Sequence, residues 1–225
     1  MKLEERHIHQ LAAAISEYDF PLVAYDFDNE AEKNDFQSYF ELERFVHAQL
    51  LSDKQEDVKN GLSNVIYWGY ATSRGRQKDR VKKFRSEVND QQIFEFSKSV
   101  RSNGIRLQDV ARCHLPQFSK VSFISKILMF LDPTKNVTLD LQLSKIRDAR
   151  TPTSFRNLTI CPTYIPVTCQ NETFYSAWCR TCCYVAQEYF ATNGIRGVDV
   201  ERGFFTLIRN GQVETAANIL NRLEA

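Results

Sequence analysis

Three side chains between residues 115 and 140 have types and positions that suit nucleophilic or electrostatic catalysis. Asp140 follows a loop and begins a predicted helix, whereas Lys120 and Lys126 lie at the start and in the middle of the preceding apolar helix. A carboxylate in a dry pocket stabilises positive charge that develops on a substrate. A lysine attacks as a nucleophile when burial or a helix N-terminus favours its neutral amine. Asp140, Lys126 and Lys120 therefore have side chains whose types would allow such chemistry.

Turn-forming residues and the spacing of apolar residues predict the turn and the helices that would position these side chains. Leu115-Pro116 predicts a tight turn, and the apolar residues of 121–131 repeat at helical spacing up to Asp132-Pro133, where proline cannot continue a helix. A further helix is predicted over 141–150. Asp140 could serve that helix simply as its N-cap, and this structural interpretation stays open beside the catalytic one.

Helical periodicity predominates along the whole chain, so the predicted fold class is all-α. The predicted helices cover 2–17, 36–51, 54–69, 76–88, 90–102, 106–113, 121–131, 141–150, 171–192, 199–209 and 211–223. Residues 151–169 hold three prolines and predict an extended connector or short strands, and the acidic segment 25–35 predicts a solvated loop.

The predicted helices are numerous and joined by short links. We expect two helical lobes with a central cleft, in which residues 1–225 form a single compact unit. Its core would span about 60–150, and the C-terminal helices at 170–225 would pack back on the N-terminal lobe.

Composition excludes several classes of protein. The 225 residues carry a formal net charge of +1, and no run of 18 apolar residues could cross a membrane. The charged start MKLEERHIHQ does not resemble a signal peptide, so we expect a cytoplasmic protein without a membrane partner. Six cysteines are then expected as reduced thiols. Cys179 and Cys182 form a CxxC, a spacing that metal sites use, but on a helix we expect them to be small buried residues, and no metal or cofactor is assigned.

Although the net charge of the chain is close to zero, one of its segments is rich in basic residues. Residues 74–85 hold seven basic side chains and one acid. Cations that hold phosphates beside aromatic rings that stack on bases are typical of nucleic-acid binding, and Tyr67 and Trp68 precede the segment. A solvated helix and two core aromatic residues are the alternative interpretation. The candidate binding residues here are Tyr67, Trp68, Arg74, Arg76, Lys78, Lys82 and Lys83.

The segment 115–140 resembles the helix-hairpin-helix DNA glycosylases, and specifically a divergent bacterial branch of the 8-oxoguanine glycosylase-like fold. The family's hairpin reads Leu-Pro-Gly-apolar-Gly, and its backbone amides bind a DNA phosphate. This chain has Leu115-Pro116-Gln117-Phe118-Ser119, with Gln117 and Ser119 in place of the glycines. The resemblance covers about 60–150. It implies that Gln117 and Ser119 contact DNA, and Ser119 could also cap the following helix.

The resemblance also assigns roles to the candidate catalytic residues. Asp140 lies where the family has the aspartate that stabilises an oxocarbenium-like sugar and activates water or a lysine. Lys120 is one residue short of the usual lysine position, which Val121 occupies, and Lys126 lies within the apolar helix. Either lysine could be the nucleophile. If neither reaches the pocket, Asp140 would work with water alone.

The expected function is therefore that of a DNA glycosylase. It would flip a damaged or modified base out of double-stranded DNA, including modified phage DNA, and excise it to leave an abasic site. A non-catalytic helix-hairpin-helix DNA-binding module is the alternative, favoured by the missing glycines. A helical protein–protein adaptor is a third. No obligate protein partner is inferred.

Overall fold

The computed structural model describes residues 2–73, 75–101 and 104–224, and these residues are mostly helical. The all-α prediction is confirmed. The α-helices are α1 (Glu5–Ser16), α2 (Tyr39–Leu50), α3 (Gln55–Gly69), α4 (Arg76–Glu87), α5 (Asp90–Val100), α6 (Leu107–Arg112), α7 (Val121–Leu131), α8 (Cys169–Tyr189), α9 (Gly197–Arg209) and α10 (Val213–Glu224). Three 3₁₀ helices cover Leu143–Asp148, Ser154–Asn157 and Ala191–Asn193.

Backbone contacts divide the chain into two compact units. Unit 1 contains the residues up to Asp19 together with those from Pro133 onward, and unit 2 is Phe20–Asp132. The boundary at 132/133 falls inside the segment 60–150 that we predicted as one core. The single compact unit and the two lobes with a central cleft stay predictions, and each unit is described by itself.

Unit 2 is built around α3. This helix packs against α2, α4 and α7, and its residues from Gly61 to Trp68 are buried. Gly61 allows the close approach of α2, because a Cβ at this position would lie 2.9 Å from the backbone nitrogen of Leu50. α6 packs on α7, so the segment 107–131 forms two consecutive helices joined by a turn.

Unit 1 packs α1 and α8 against α9, with α10 and the 3₁₀ helix Leu143–Asp148 on α9 as well. Gly203 of α9 lies against α1, since a Cβ there would approach Ile15 Cγ1 to 2.7 Å. An aromatic cluster forms the core, in which Trp178 contacts Phe155 and Phe204 edge-on at centroid separations of 5.2 and 5.3 Å.

Two local predictions were wrong. The predicted helix 141–150 is the shorter 3₁₀ helix Leu143–Asp148, followed by an extended residue at Ala149. The predicted loop 25–35 contains an antiparallel hairpin of β1 (Ala24–Asp26) and β2 (Ala31–Lys33).

Side-chain hydrogen bonds explain why this acidic segment folds into a hairpin. The Asp26 carboxylate accepts the backbone N–H groups of Asp28 and Asn29 and so closes the turn. At the free edge, Asn64 of α3 accepts the N–H of Tyr25 at 2.6 Å and donates to its carbonyl at 3.1 Å. The outer edge of β1 is therefore paired with a side chain of α3, and the local sequence of β1 gives no sign of this partner.

The connector 151–169 is extended apart from the 3₁₀ helix Ser154–Asn157 and an isolated bridge between Cys161 and Tyr164. Thr168 caps α8 by accepting the N–H of Asn171. Within residues 2–73, 75–101 and 104–224, none of the helices combines the length and the apolar character needed to cross a bilayer.

Candidate functional site

The turn between α6 and α7 contains a residue in the left-handed conformation that favours glycine. Gln117 has φ of 69°, in the left-handed region, at the position where the family has its first glycine. That conformation costs a non-glycine residue roughly 1–2 kcal/mol. The surrounding structure compensates, because Leu115 and Phe118 are buried on either side and the N–H of Phe118 donates to the carbonyl of Leu115 at 3.1 Å.

Two further hydrogen bonds tie this turn to neighbouring helices. Arg80 of α4 donates from Nη1 to Oε1 of Gln117 at 3.3 Å. Gln92 of α5 donates from Nε2 to the carbonyl of His114 at 2.7 Å. His114 also has a positive φ of 50°. The turn therefore holds two strained residues, and each accepts a hydrogen bond from a side chain of another helix: Gln117 from Arg80 and His114 from Gln92.

Ser119 does not cap α7 as predicted. The N-cap residue is Lys120, whose carbonyl accepts the N–H of Ile124 at 3.2 Å, and Ser119 lies one residue earlier with its side chain exposed. Lys120 is half-buried at the start of the helix.

Lys126 lies in a closely packed contact between α3 and α7. It is only 7 % exposed, its Nζ donates to the carbonyl of Ser122 at 3.1 Å, and it lies 5.5 Å from the centre of the Phe123 ring. Gly69 permits this packing, because a Cβ there would come within 2.6 Å of Phe123 and 3.4 Å of Lys126 Cδ. The structure therefore buries this candidate nucleophile beside an aromatic ring.

Asp140 is half-exposed in unit 1, and its carboxylate has a fixed direction. Oδ1 accepts the backbone N–H groups of Gln142 at 2.9 Å and Leu143 at 3.1 Å, and the Asp140 carbonyl accepts the N–H of Ser144. These are the contacts of a capping aspartate. Asp140 thus closes the turn that leads into the 3₁₀ helix, whose own N-cap residue is Gln142, and the catalytic interpretation stays a prediction.

The backbone that leads into Asp140 is held by polar side chains of α8 and α9. The Tyr175 hydroxyl donates to the carbonyl of Val137 at 2.9 Å, and Trp178 Nε1 donates to the carbonyl of Thr138 at 3.0 Å. The Thr138 hydroxyl in turn donates to Oε1 of the buried Glu201 at 2.7 Å. Sequence reasoning missed these positioning residues. The sequence gives one indication of such a role: Tyr175 and Trp178 are aromatic residues with a hydrogen-bond donor on the buried face of α8.

The cluster Arg196, Asp199 and Arg202 is a salt-bridge network at the start of α9. Asp199 accepts from Arg196 Nε and from Arg202 Nη1, each at 2.9 Å, and its carboxylate also caps the helix at the Arg196 N–H. Burial pushes the pKa of Asp199 upward, but the hydrogen bonds and charges of Arg196 and Arg202 outweigh burial and hold the pKa below its ordinary value.

Tyr67 and Trp68 are core residues, contrary to the prediction that they stack on a base. They are 1 % and 4 % exposed. Tyr67 donates to the Glu32 carboxylate, and Trp68 Nε1 donates to the carbonyl of Pro21 at 3.1 Å while its ring packs on Phe130. The ring faces are occupied because α3 is the central helix of its unit and leaves little room for a base.

The basic residues of α4 are mostly on its surface. Arg76, Lys78, Lys82 and Lys83 are exposed, whereas Arg74 lies outside the described residues. Arg85 is different, since it donates to the Glu56 carboxylate and to Asn60 Oδ1 at 2.8 Å and lies over the ring of Phe27.

All six cysteines are thiols, not disulfides, and the CxxC pair is buried on α8. Burial raises the pKa of the Cys179 thiol to about 11, and burial also raises the pKa of Cys182 well above its ordinary value. Both therefore remain thiols at neutral pH, whereas a metal ligand would be a thiolate. In the part of the chain that the structure describes, no three His, Cys, Asp or Glu side chains are grouped closely enough to hold a metal ion.

Comparison of the chain with protein-family models, with curated proteins and with solved structures finds no match.

Replacing Thr138 with Val tests the support beneath Asp140. The isosteric change removes the donor to the buried Glu201 carboxylate, so we expect the free energy of unfolding, measured in urea, to fall by about 1–3 kcal/mol. Thr192→Val is the control, because Thr192 is exposed and should change stability by no more than about 0.5 kcal/mol. Equal effects of the two variants would contradict a supporting role for Thr138.

The lowered pKa of Asp199 predicts a pH-dependent contribution to stability. A depressed carboxyl pKa stabilises the fold above the unfolded-state value of about 4, and this contribution is lost as pH falls through the folded-state pKa. Asp199→Asn should therefore be less stable than the wild type at pH 7, by about 2 kcal/mol or more. The difference should shrink below about pH 4 in urea unfolding. A difference that stays constant from pH 7 to pH 3 would contradict the ion-pair account.

Proposed function

We propose that the protein is a DNA glycosylase that excises a damaged or modified base from double-stranded DNA. The observation that supports the proposal is the left-handed backbone conformation of Gln117 in the turn between α6 and α7. Gln117 stands where the resemblance would have a glycine, and it holds a left-handed conformation at a cost in strain. Such strain is commonly retained where a function depends on the backbone conformation.

DNA binding would use the hairpin–α4 surface, which we define as residues 115–120 together with the exposed cations of α4. Arg80 joins the two parts, because it belongs to α4 and donates to Gln117. The first-turn N–H groups of α7 have no acceptor within their own helix and can therefore donate to a phosphate. Arg76, Lys78, Lys82 and Lys83 would add phosphate contacts that position the duplex without reading its sequence.

Asp140 would supply the chemistry. Its two backbone hydrogen bonds fix the direction of the carboxylate, which can then face the sugar as positive charge develops on it. The bond from the anomeric carbon to the base breaks, the base leaves with the bonding electron pair, and water adds to the sugar. The products are a free base and an abasic site.

A lysine could take the place of water and form a Schiff base with the opened sugar, and the two candidates differ in their surroundings. Lys126 is buried, with its Nζ donating to the carbonyl of Ser122 and lying over the ring of Phe123. Lys120 is half-buried at the first turn of α7, next to the hairpin. We keep both, since each has one feature that a nucleophile needs.

The substrate class would place this activity in DNA repair or in defence against phage DNA with modified bases, within the cytoplasm. A non-catalytic DNA-binding module is the second candidate. One observation favours it: Gln117 and Ser119 carry side chains at the turn where glycine lets a phosphate approach the backbone closely.

Asp140→Asn separates these two functions. Asparagine retains an oxygen that can accept the N–H groups of Gln142 and Leu143, so the fold should persist while the negative charge is lost. We expect the wild type to create alkali-labile sites in at least one duplex of a panel of damaged and modified DNAs. The variant should lose at least about 100-fold in rate and still bind the duplex.

Asp148→Asn is the matched control, because Asp148 is an exposed carboxylate at the other end of the same 3₁₀ helix. It should cleave as the wild type does. Borohydride trapping on DNA, lost in Lys120→Ala or in Lys126→Ala, would assign the lysine. Duplex binding with no cleavage across the panel would instead support the module.

The hairpin–α4 surface also predicts how DNA affinity depends on salt. Replacing Arg76, Lys82 and Lys83 with Gln should weaken binding equally for unrelated sequences. It should reduce the slope of log K against log salt by about 2–3, since each phosphate contact contributes roughly 0.9. Fluorescence anisotropy at several salt concentrations measures both. The exposed Lys2, Lys54 and Lys98, changed together, should leave the slope unaltered, and an equal loss in this control would contradict the assignment of the surface.

A further inference from the structure

A cavity of about 500 Å³ lies in unit 2 along one side of α4. This volume is within the range of roughly 300–1,000 Å³ that is usual for small-molecule sites. Its lining brings together two tyrosines from the hairpin and α3 with three cationic side chains and one carboxylate from α4. The chemical character of the cavity is therefore mixed, with an aromatic wall and a basic wall.

Tyr25 forms the accessible part of the aromatic wall, and its ring packs against that of the core residue Tyr67. Their ring centres are 5.6 Å apart with the planes tilted by 49°. The backbone of Tyr25 is fixed on both sides by the Asn64 side chain, and its hydroxyl donates to the carbonyl of Glu30 at 2.7 Å. The half-buried Tyr25 ring is thus held rigidly at the cavity, as a stacking platform requires.

Lys78, Lys82 and Arg85 form the basic wall. Lys78 and Lys82 are one turn apart on α4 and exposed, so their ammonium groups can approach the same ligand. The Lys78 ammonium lies 5.9 Å from the centre of the Tyr25 ring. Arg85 is fixed by Asn60 and Glu56, and Asp79 is the carboxylate that faces this wall.

We propose that this cavity binds a single unpaired nucleotide. The base would stack on Tyr25, and the phosphate would lie between Lys78 and Lys82. A planar ring beside adjacent cations matches a base that carries its own phosphate better than it matches either part alone. Asp79 and the hydroxyl of Ser86 would offer an acceptor and a donor to the polar edge of the base.

The nucleotide site goes beyond the proposed glycosylase activity, because it uses neither Asp140 nor the hairpin turn. It explains the role of the basic segment without requiring Tyr67 or Trp68 to leave the core. The ligand could be a free mononucleotide or one unpaired residue of a DNA strand, and the shared chemistry is a base with an attached phosphate.

Isothermal titration calorimetry of the full chain with deoxyadenosine monophosphate tests the proposal. We expect saturable binding, with inorganic phosphate and deoxyadenosine each more than about tenfold weaker. Lys82→Gln should weaken binding about tenfold, the effect of losing one charge-assisted hydrogen bond. Tyr25→Leu should abolish most of the affinity, whereas Tyr25→Phe, which retains the ring, should bind as the wild type does.

Lys98→Gln is the matched control for charge, because Lys98 is an exposed lysine of α5 that lies outside the hairpin–α4 surface and does not line the cavity. It should change mononucleotide affinity less than twofold. A single-stranded hexanucleotide that binds much more tightly than the mononucleotide, and with the same dependence on Lys82 and Tyr25, identifies a DNA strand as the source. Similar affinities identify the free nucleotide.

Equal losses in Lys82→Gln and Lys98→Gln, or no binding of either ligand, would overturn the nucleotide site. Excision measured in the same preparations keeps the two proposals apart. If the wild type does not bind the mononucleotide but still cleaves DNA, only the nucleotide site is refuted. If it binds the mononucleotide but cleaves no duplex, only the glycosylase proposal is refuted.

Discussion

The position of Asp140 depends on a requirement of the core of unit 1: buried carbonyl groups need hydrogen-bond donors. In the segment that leads into Asp140, the carbonyl of Val137 accepts from Tyr175 and the carbonyl of Thr138 accepts from Trp178. A carboxylate at the end of a segment held in this way has little freedom to move. This rigidity suits a group that must face charge at a fixed point, since a preorganised carboxylate need not reorganise as the charge develops.

Contacts with neighbouring helices also fix the backbone of the hairpin turn in unit 2. Gln117 adopts a conformation that glycine adopts at little cost, and Arg80 and the buried Phe118 hold it there. The turn is therefore specified by packing and not by its own sequence. A glycine-free hairpin gains side-chain contacts to α4 but keeps bulk near the backbone, so its phosphate contact would rely more on neighbouring cations than on backbone approach.

Hydrophobic period and proline positions predicted the all-α class and every α-helix, because both signals are local. α7 was predicted over its observed bounds. The β1–β2 hairpin was missed because its edge is completed by Asn64, some 40 residues later, and the 3₁₀ form of 143–148 depends on tertiary packing. Tyr67 and Trp68 were misassigned because an aromatic pair beside cations has the same sequence pattern whether its rings face solvent or core. Tyr25 was overlooked since its segment was taken for a loop.

The central claim is that the Asp140 carboxylate faces positive charge on a sugar, and it can be measured without knowing which base is excised. Two duplexes are compared, one with a neutral tetrahydrofuran abasic site and one with a cationic pyrrolidine analogue of the oxocarbenium ion. The account predicts that the wild type binds the cationic duplex at least about tenfold more tightly, and that this preference requires Asp140. Equal affinity of the wild type for both duplexes would contradict it.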